Sequence, residues 1–233
     1  MQYYPAYLEL RGHPCVVIGG GPIAERKVTT LLDAGARVTV VSPTLTPPLT
    51  ALADTHEIVH HARPYRYGDL AGAWLAYAAT GDETVHAAIA TEAAEARVFL
   101  NVVDRPRLCS FIVPAIVRRD PVAIAVSTGG ASPALAKRLA CELDATVGAE
   151  WGLAARVLGA LRLRLRDRLA ADSGAGARIF GGLADTPLVA ALRAGDVARV
   201  DALLTEHVGA PTTMADLGIA IGGQPAAGAG GNR

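Results

Sequence analysis

Apolar residues in the first hundred positions come as short unbroken runs separated by helical stripes. "PCVVIG" (14–19) is β-branched and continuously apolar, the pattern of a strand covered on both faces. Over 22–34, Ala24, Val28, Leu31 and Leu32 share one helical face, and Gly35 is placed to end that helix. "RVTVVS" (37–42) predicts a second strand, "LTPPLTALAD" (45–54) a short helix, "EIVHHA" (57–62) a third strand and "GAWLAYAAT" (72–80) a fourth. Asp82 is positioned to cap a helix running to about residue 96, and "VFLNVV" (98–103) follows as a fifth strand. Strands alternating with helices predict an α/β fold with a doubly wound, mainly parallel sheet.

The rhythm then changes. "SFIVPAIVRRDPVAIAVST" (110–128) holds two apolar runs joined by "RRDP", a hairpin signal. "STGGASPALAKRLACEL" follows, a polar glycine loop leading into a helix, and the pattern from about 146 to 218 is helical. "LRLRLRDRL" (161–169) alternates as a strand does. Leu158, Leu161, Leu165 and Leu169 also form a helical stripe, and helix is the expectation. "GGQPAAGAGGNR" (222–233) is of low complexity and is expected to be disordered.

Composition narrows the class. The 233 residues are 51% hydrophobic with 22 basic and 22 acidic side chains, which is globular and without the positive field of a nucleic-acid or acidic-membrane binder. Cys15, Cys109 and Cys141 are widely spaced, with no metal-knuckle pattern, and fit a reducing cytoplasm. "MQYYPAYLEL" lacks the basic start and apolar core of a signal peptide, and no apolar run reaches the roughly 18 residues of a membrane span. The six histidines form no metal-ligand pattern, and adjacent His60 and His61 point to opposite strand faces.

Gly19-x-Gly21-x-x-Ala24, between a strand and a helix, matches the dinucleotide-binding glycine pattern. The first glycine permits the tight turn, the second admits a pyrophosphate to the backbone, and the small third residue lets helix and strand pack closely. The same glycines also serve a plain tight turn. The acidic residue that grips an adenine ribose should end the second strand, yet Ser42-Pro43-Thr44 stands there. Hydroxyls of Ser42 or Thr44, or backbone groups, are the candidate ribose contacts, and the residues leave NAD against NADP open.

Asp104 ends the fifth predicted strand, where ligands of open parallel sheets bind. It is either a general base or a turn-capping aspartate before Pro106. In "STGGASP" (127–133), Ser127, Thr128, Gly129 and Gly130 offer backbone N–H groups to an anion, and Ser132 can cap the next helix. Lys137 and Arg138 lie one turn on, and Arg118 and Arg119 sit in the hairpin. The loop is an anion receiver for a carboxylated ligand or simply a capped helix with a solvated face.

"YPAYLELRGHPCVVIGGGPIAERKVTTLLDAGARVTVVSP" and "NVVDRPRLCSFIVPAIVRRDPVAIAVSTGGASPALAKRL", followed by the helical end, resemble the siroheme synthase family, over roughly residues 3 to 215. The resemblance is narrower still to its precorrin-2 dehydrogenase/sirohydrochlorin ferrochelatase module, without the methyltransferase domain. It implies a Rossmann-type NAD-binding domain over 1–112, a dimerisation and substrate region over 113–145, a helical domain over 146–218 and a tail over 219–233. It implies NAD-dependent oxidation of precorrin-2 to sirohydrochlorin, then Fe²⁺ insertion as a substrate step with no resident metal, in a cytoplasmic homodimer. By position, Gly21, Pro22 and Ile23 line the pyrophosphate and Pro43 and Thr44 the ribose, and the glycine pattern and strand end add Gly19, Ala24 and Ser42 to the expected cofactor site. Asp104 is the acid/base carboxylate. Ser127, Thr128, Gly129, Gly130, Ser132 and Lys137 meet the tetrapyrrole, with Thr128 standing where many relatives have serine. The alternatives are a dehydrogenase without chelatase activity, a chelatase for cobalt or nickel, and a non-catalytic dinucleotide-sensing module.

Overall fold

The computed structural model describes residues 3–220. Five strands form one parallel sheet: β1 (Pro14–Ile18), β2 (Arg37–Val41), β3 (Ile58–His61), β4 (Leu75–Ala78) and β5 (Phe99–Val102), in the order β3-β2-β1-β4-β5. α1 (Pro22–Asp33) and α2 (Pro47–Asp54) connect the first three strands, and α3 (Glu83–Ala96) connects β4 to β5. Central strand β1 shows why an unbroken apolar run was needed. Its Cys15 and Val17 join Val28, Leu31 and Leu49 on one face. Val16 and Ile18 join Ile89, Ala93 and Leu100 on the other.

The predicted caps close the helices. Asp82 accepts from the Thr84 N–H at 2.9 Å, and Gly35, at φ +74°, turns the chain out of α1. The stretch between β3 and β4 carries no helix. The Arg63 guanidinium grips Asp69 through both nitrogens, and buried Glu92 of α3 accepts from the Leu70 N–H at 2.7 Å and from the Tyr65 hydroxyl.

The described residues divide into two compact units, 3–113 with 129–131, and 114–128 with 132–220. The second begins with the antiparallel hairpin β6 (Ala115–Arg119) and β7 (Val122–Val126), turned by Asp120-Pro121. Val117 and Val126 pack on Ala136 and Ala140 of α4 (Pro133–Thr146). α5 (Ala149–Arg164) then crosses the hairpin. Its Gly152 is required there, since a Cβ would lie 2.7 Å from the Asp120 carbonyl oxygen. α6 (Arg166–Ala171), a π-helical turn (Ala177–Gly181), α7 (Gly182–Ala184), α8 (Leu188–Ala194) and α9 (Val197–Val208) complete the unit. Leu153, Val157 and Leu161 meet Leu192, Leu203 and Leu204 in its core.

The helix predicted across 161–169 is present, as the end of α5 and the start of α6, with one interruption at Leu165, φ −94° and ψ 10°. Leu165 and Leu169 pack on the core with Leu158 and Leu161, and Arg168 donates to the Val208 carbonyl at 2.6 Å. The expected disordered tail lies, from 221 onward, outside the described residues. Among the described residues, no helix is long and apolar enough to cross a membrane.

Candidate functional site

The glycine run joins β1 to α1. Gly19, at φ +120°, donates its N–H to the Val41 carbonyl at 2.9 Å, and a Cβ on it would lie 2.7 Å from the Ala79 carbonyl carbon. Gly20, which the sequence pattern does not single out, is closed in as tightly. A Cβ there would overlap the Thr44 carbonyl oxygen and lie 2.8 Å from the Ser42 Oγ. Gly21 differs from both. It is the N-cap of α1, no side chain caps the helix there, and nothing lies within 4 Å of where its Cβ would be. Two glycines therefore serve packing, and the third leaves open space over the first N–H groups of a helix. That combination suits a pyrophosphate, whose charge the helix N-terminus favours. Pro22 and Ile23 are exposed beside it, and Ala24 is fully buried against the sheet.

The segment after β2 is bound to this loop. Thr46 donates its N–H to the Gly20 carbonyl at 2.9 Å and its hydroxyl to the Glu25 carboxylate at 2.7 Å. Ser42 is buried and donates its hydroxyl to the Thr44 carbonyl at 2.7 Å, while His60 Nε2 meets the Ser42 carbonyl at 2.9 Å. The Ser42 hydroxyl hydrogen is thus committed to shaping the loop, and exposed Pro43 and Thr44 form its outer surface. The structure brings the Gly19–Ala24 and Ser42–Thr44 segments together, with Pro22, Ile23, Pro43 and Thr44 exposed and Gly19, Gly20, Ala24 and Ser42 buried beneath. Glu25, Thr46 and His60 hold this arrangement, and no sequence motif marked them. Gly20 had a visible signal in the unbroken Gly19-Gly20-Gly21 run.

Asp104 lies two residues beyond β5, exposed, at φ +57°. This left-handed conformation is uncommon outside glycine, and aspartate and asparagine tolerate it best. The short helical turn after it (Pro106–Leu108) is preceded by Arg105 and has no side-chain cap. The Asp104 carboxylate has no partner among the described residues; only its carbonyl is used, by Arg105 at 3.1 Å. A turn-capping role therefore does not account for it. Neighbouring Asn101 donates to the Phe111 carbonyl at 3.0 Å. Cys109 accepts from the Val102 N–H at 3.2 Å, and burial raises its thiol pKa.

The loop after β7 is closed by its own hydroxyls. Thr128 Oγ1 accepts from the Ser132 N–H and donates to the Ser132 carbonyl, both at 3.0 Å. Ser132 Oγ caps α4 by accepting from the Leu135 N–H at 3.2 Å. Gly129 and Gly130 take φ of +65° and +89°, open to the outside. Ser127 leads into this loop and is exposed, as is Lys137 one turn into α4. Arg138 and Arg119 are engaged by Glu142 and Asp144, which leaves Lys137 and Arg118 without an ion-pair partner among the described residues. No group of three metal-ligating side chains occurs among the described residues.

Residues 6–115 match a family model described as NAD(P)-binding, and residues 119–139 match one for the central part of sirohaem biosynthesis proteins. The siroheme synthase of Methylococcus capsulatus is 44% identical over 169 residues, covering 72% of this chain and 36% of its own length. Siroheme synthase 1 of Aeromonas salmonicida is likewise 44% identical, over 170 residues. The chain belongs to the siroheme synthase family. It spans a little over a third of the length of those relatives, 36% in both cases. The structure of the precorrin-2 dehydrogenase SirC superposes with a TM-score of 0.71 at 22% identity, covering 89% of this chain and all of that one, which establishes a common fold. The α/β architecture with a hairpin and helical end is that fold.

Proposed function

We propose that this family member is an NAD-dependent precorrin-2 dehydrogenase that yields sirohydrochlorin, and that it then inserts Fe²⁺ to give siroheme. The carrying observation is Asp104, a carboxylate at the carboxyl end of a strand in a dinucleotide-binding sheet, held in a left-handed conformation and used by no structural contact among the described residues. NAD, when bound, supplies the hydride acceptor. Gly21, Pro22 and Ile23 line the pyrophosphate, with Gly19 shaping the turn and Ala24 packing the helix on the sheet, and Pro43 and Thr44 flank the ribose on the loop that Ser42 shapes. Asp104 accepts the proton lost alongside the hydride, so that precorrin-2 gives up two electrons and two hydrogens in all. Chelation releases two pyrrole protons as Fe²⁺ enters; exposed Asp104, having passed its first proton to water, accepts them one at a time and hands each to solvent. Ser127, Thr128, Gly129 and Gly130, with Ser132 and Lys137, receive the carboxylates of the tetrapyrrole.

In this reading residues 1–112 hold the cofactor, 113–145 the substrate, and 146–218 form the helical domain. The protein works as a cytoplasmic homodimer. Three unpaired cysteines support the compartment. Ile116 on the hairpin and Leu135 and Leu139 on α4, each more than 40% exposed, support the dimer.

An anaerobic assay with precorrin-2 and NAD, followed by Fe²⁺, tests both steps. NADH formation and then a siroheme spectrum faster than the uncatalysed rate is the expected result. NADH without accelerated metal insertion leaves a dehydrogenase alone. NAD binding without NADH formation overturns the reading in favour of a sensing module.

A further inference from the structure

We infer that Thr80 is a further dinucleotide-binding residue and that His86 positions it; the inference rests on the NAD reading above. The sheet order β3-β2-β1-β4-β5 reverses direction between β1 and β4, so the ligand crevice opens between the loops that follow those two strands. The loop after β1 is the glycine run, and the loop after β4 is Ala79–Asp82. The two abut: the Ala79 N–H donates to the Ile18 carbonyl at 2.7 Å, and Gly19 has no room for a side chain against Ala79. Ser42–Thr44 follows β2 on the opposite flank of β1. A pyrophosphate seated at Gly21 therefore sends the adenosine half over β2 and the other half over β4, where Thr80 stands.

The Thr80 hydroxyl accepts from the Asp82 N–H at 3.2 Å, and among the described residues no acceptor takes its own hydrogen. That hydrogen is available to a ligand oxygen. The loop is fixed around it: Asp82 is tied to both the N–H and the hydroxyl of Thr84, and His86 Nε2 meets the Thr80 carbonyl at 3.2 Å. A carbonyl accepts only, so Nε2 carries the proton and Nδ1 is left as an acceptor. His86 is 6% exposed, and its Nδ1 has no partner among the described residues. A leucine or methionine of similar volume would fill this space without burying an unpaired acceptor. Histidine is the better choice only if its other end, on Thr80, is what matters.

Isothermal titration of the full chain with NAD and, separately, with AMP tests this. Thr80→Val is expected to weaken NAD about fivefold to tenfold, the value of one lost hydrogen bond, with AMP affinity unchanged. His86→Met is expected to do the same, while His86→Gln, whose Nε2 can still donate to the Thr80 carbonyl, returns NAD affinity to within about twofold of the parent. Equal NAD affinity in Thr80→Val and the parent overturns the inference even if His86→Met fails to fold. Equal weakening of NAD and AMP also overturns it, since that pattern reports general damage. A parent protein that binds no NAD overturns the cofactor reading itself, which separates the two failures.

Discussion

The Thr44 carbonyl oxygen fills the space that a Cβ on Gly20 would need, 24 residues away in the chain. Gly21, its immediate neighbour, has open space instead. Adjacent glycines therefore fail differently. Gly20→Ala is expected to cost about 1–3 kcal/mol of stability through overpacking, read by denaturant unfolding. Gly21→Asp is expected to leave stability within about 0.5 kcal/mol, because φ −85° suits aspartate and aspartate is a good N-cap. Its charge opposes a pyrophosphate, and NAD affinity should fall at least about tenfold. Unchanged NAD affinity in Gly21→Asp would remove the dinucleotide from this site.

Asp104 offers a separation of conformation from chemistry. Asparagine adopts the φ +57° backbone as readily as aspartate but accepts no proton. Asp104→Asn should unfold at the parent temperature, bind NAD within about twofold, and lose on the order of 100-fold or more in precorrin-2 turnover. Turnover close to that of the parent would assign the proton transfer to another group.

Thr128 closes its loop through a hydroxyl that both donates to and accepts from Ser132. Thr128→Ser keeps both bonds, and Thr128→Val removes both. The valine variant should raise the KM for precorrin-2 several-fold with NAD affinity unchanged, and serine should restore it. A KM unaffected by valine would leave this loop as a helix cap and nothing more.

Burial pushes the Cys15 thiol from 9.0 up to about 11, against a smaller lowering from a backbone hydrogen bond at Leu75. The folded state then holds its proton more tightly than the unfolded chain. The associated stability is present below pH 9 and is lost as pH rises from 9 towards 11. It is on the order of 2–3 kcal/mol. Tyr77, raised by burial to about 12, adds a loss in the same direction from pH 10 upward. Urea unfolding at pH 8.5 and 10.5 should show a smaller drop for Cys15→Ala than for the parent. A thiol reagent at pH 8 should modify exposed Cys141 and spare Cys15 until the chain unfolds.

The alternation of strands and helices, the caps at Asp82 and Ser132, the hairpin turn at Asp120-Pro121 and the glycine loop were all legible in the sequence. Each is set by covalent neighbours through side-chain periodicity, an N-cap oxygen or a fixed proline φ, and needs no distant partner. The tertiary structure decided what each residue is for. Gly20 is indispensable only because the β2 loop lies across it. The Ser42 hydroxyl is turned inward by Thr44, and Asp104 is free because nothing beside it needs capping. Leu165 and Leu169 belong to a core only because α8 and α9 supply its other walls. His86 matters through Thr80 because the reversal of strand order puts the β4 loop beside the glycines. These are contacts between segments far apart in the chain, and only the strand order that packing selects brings them together.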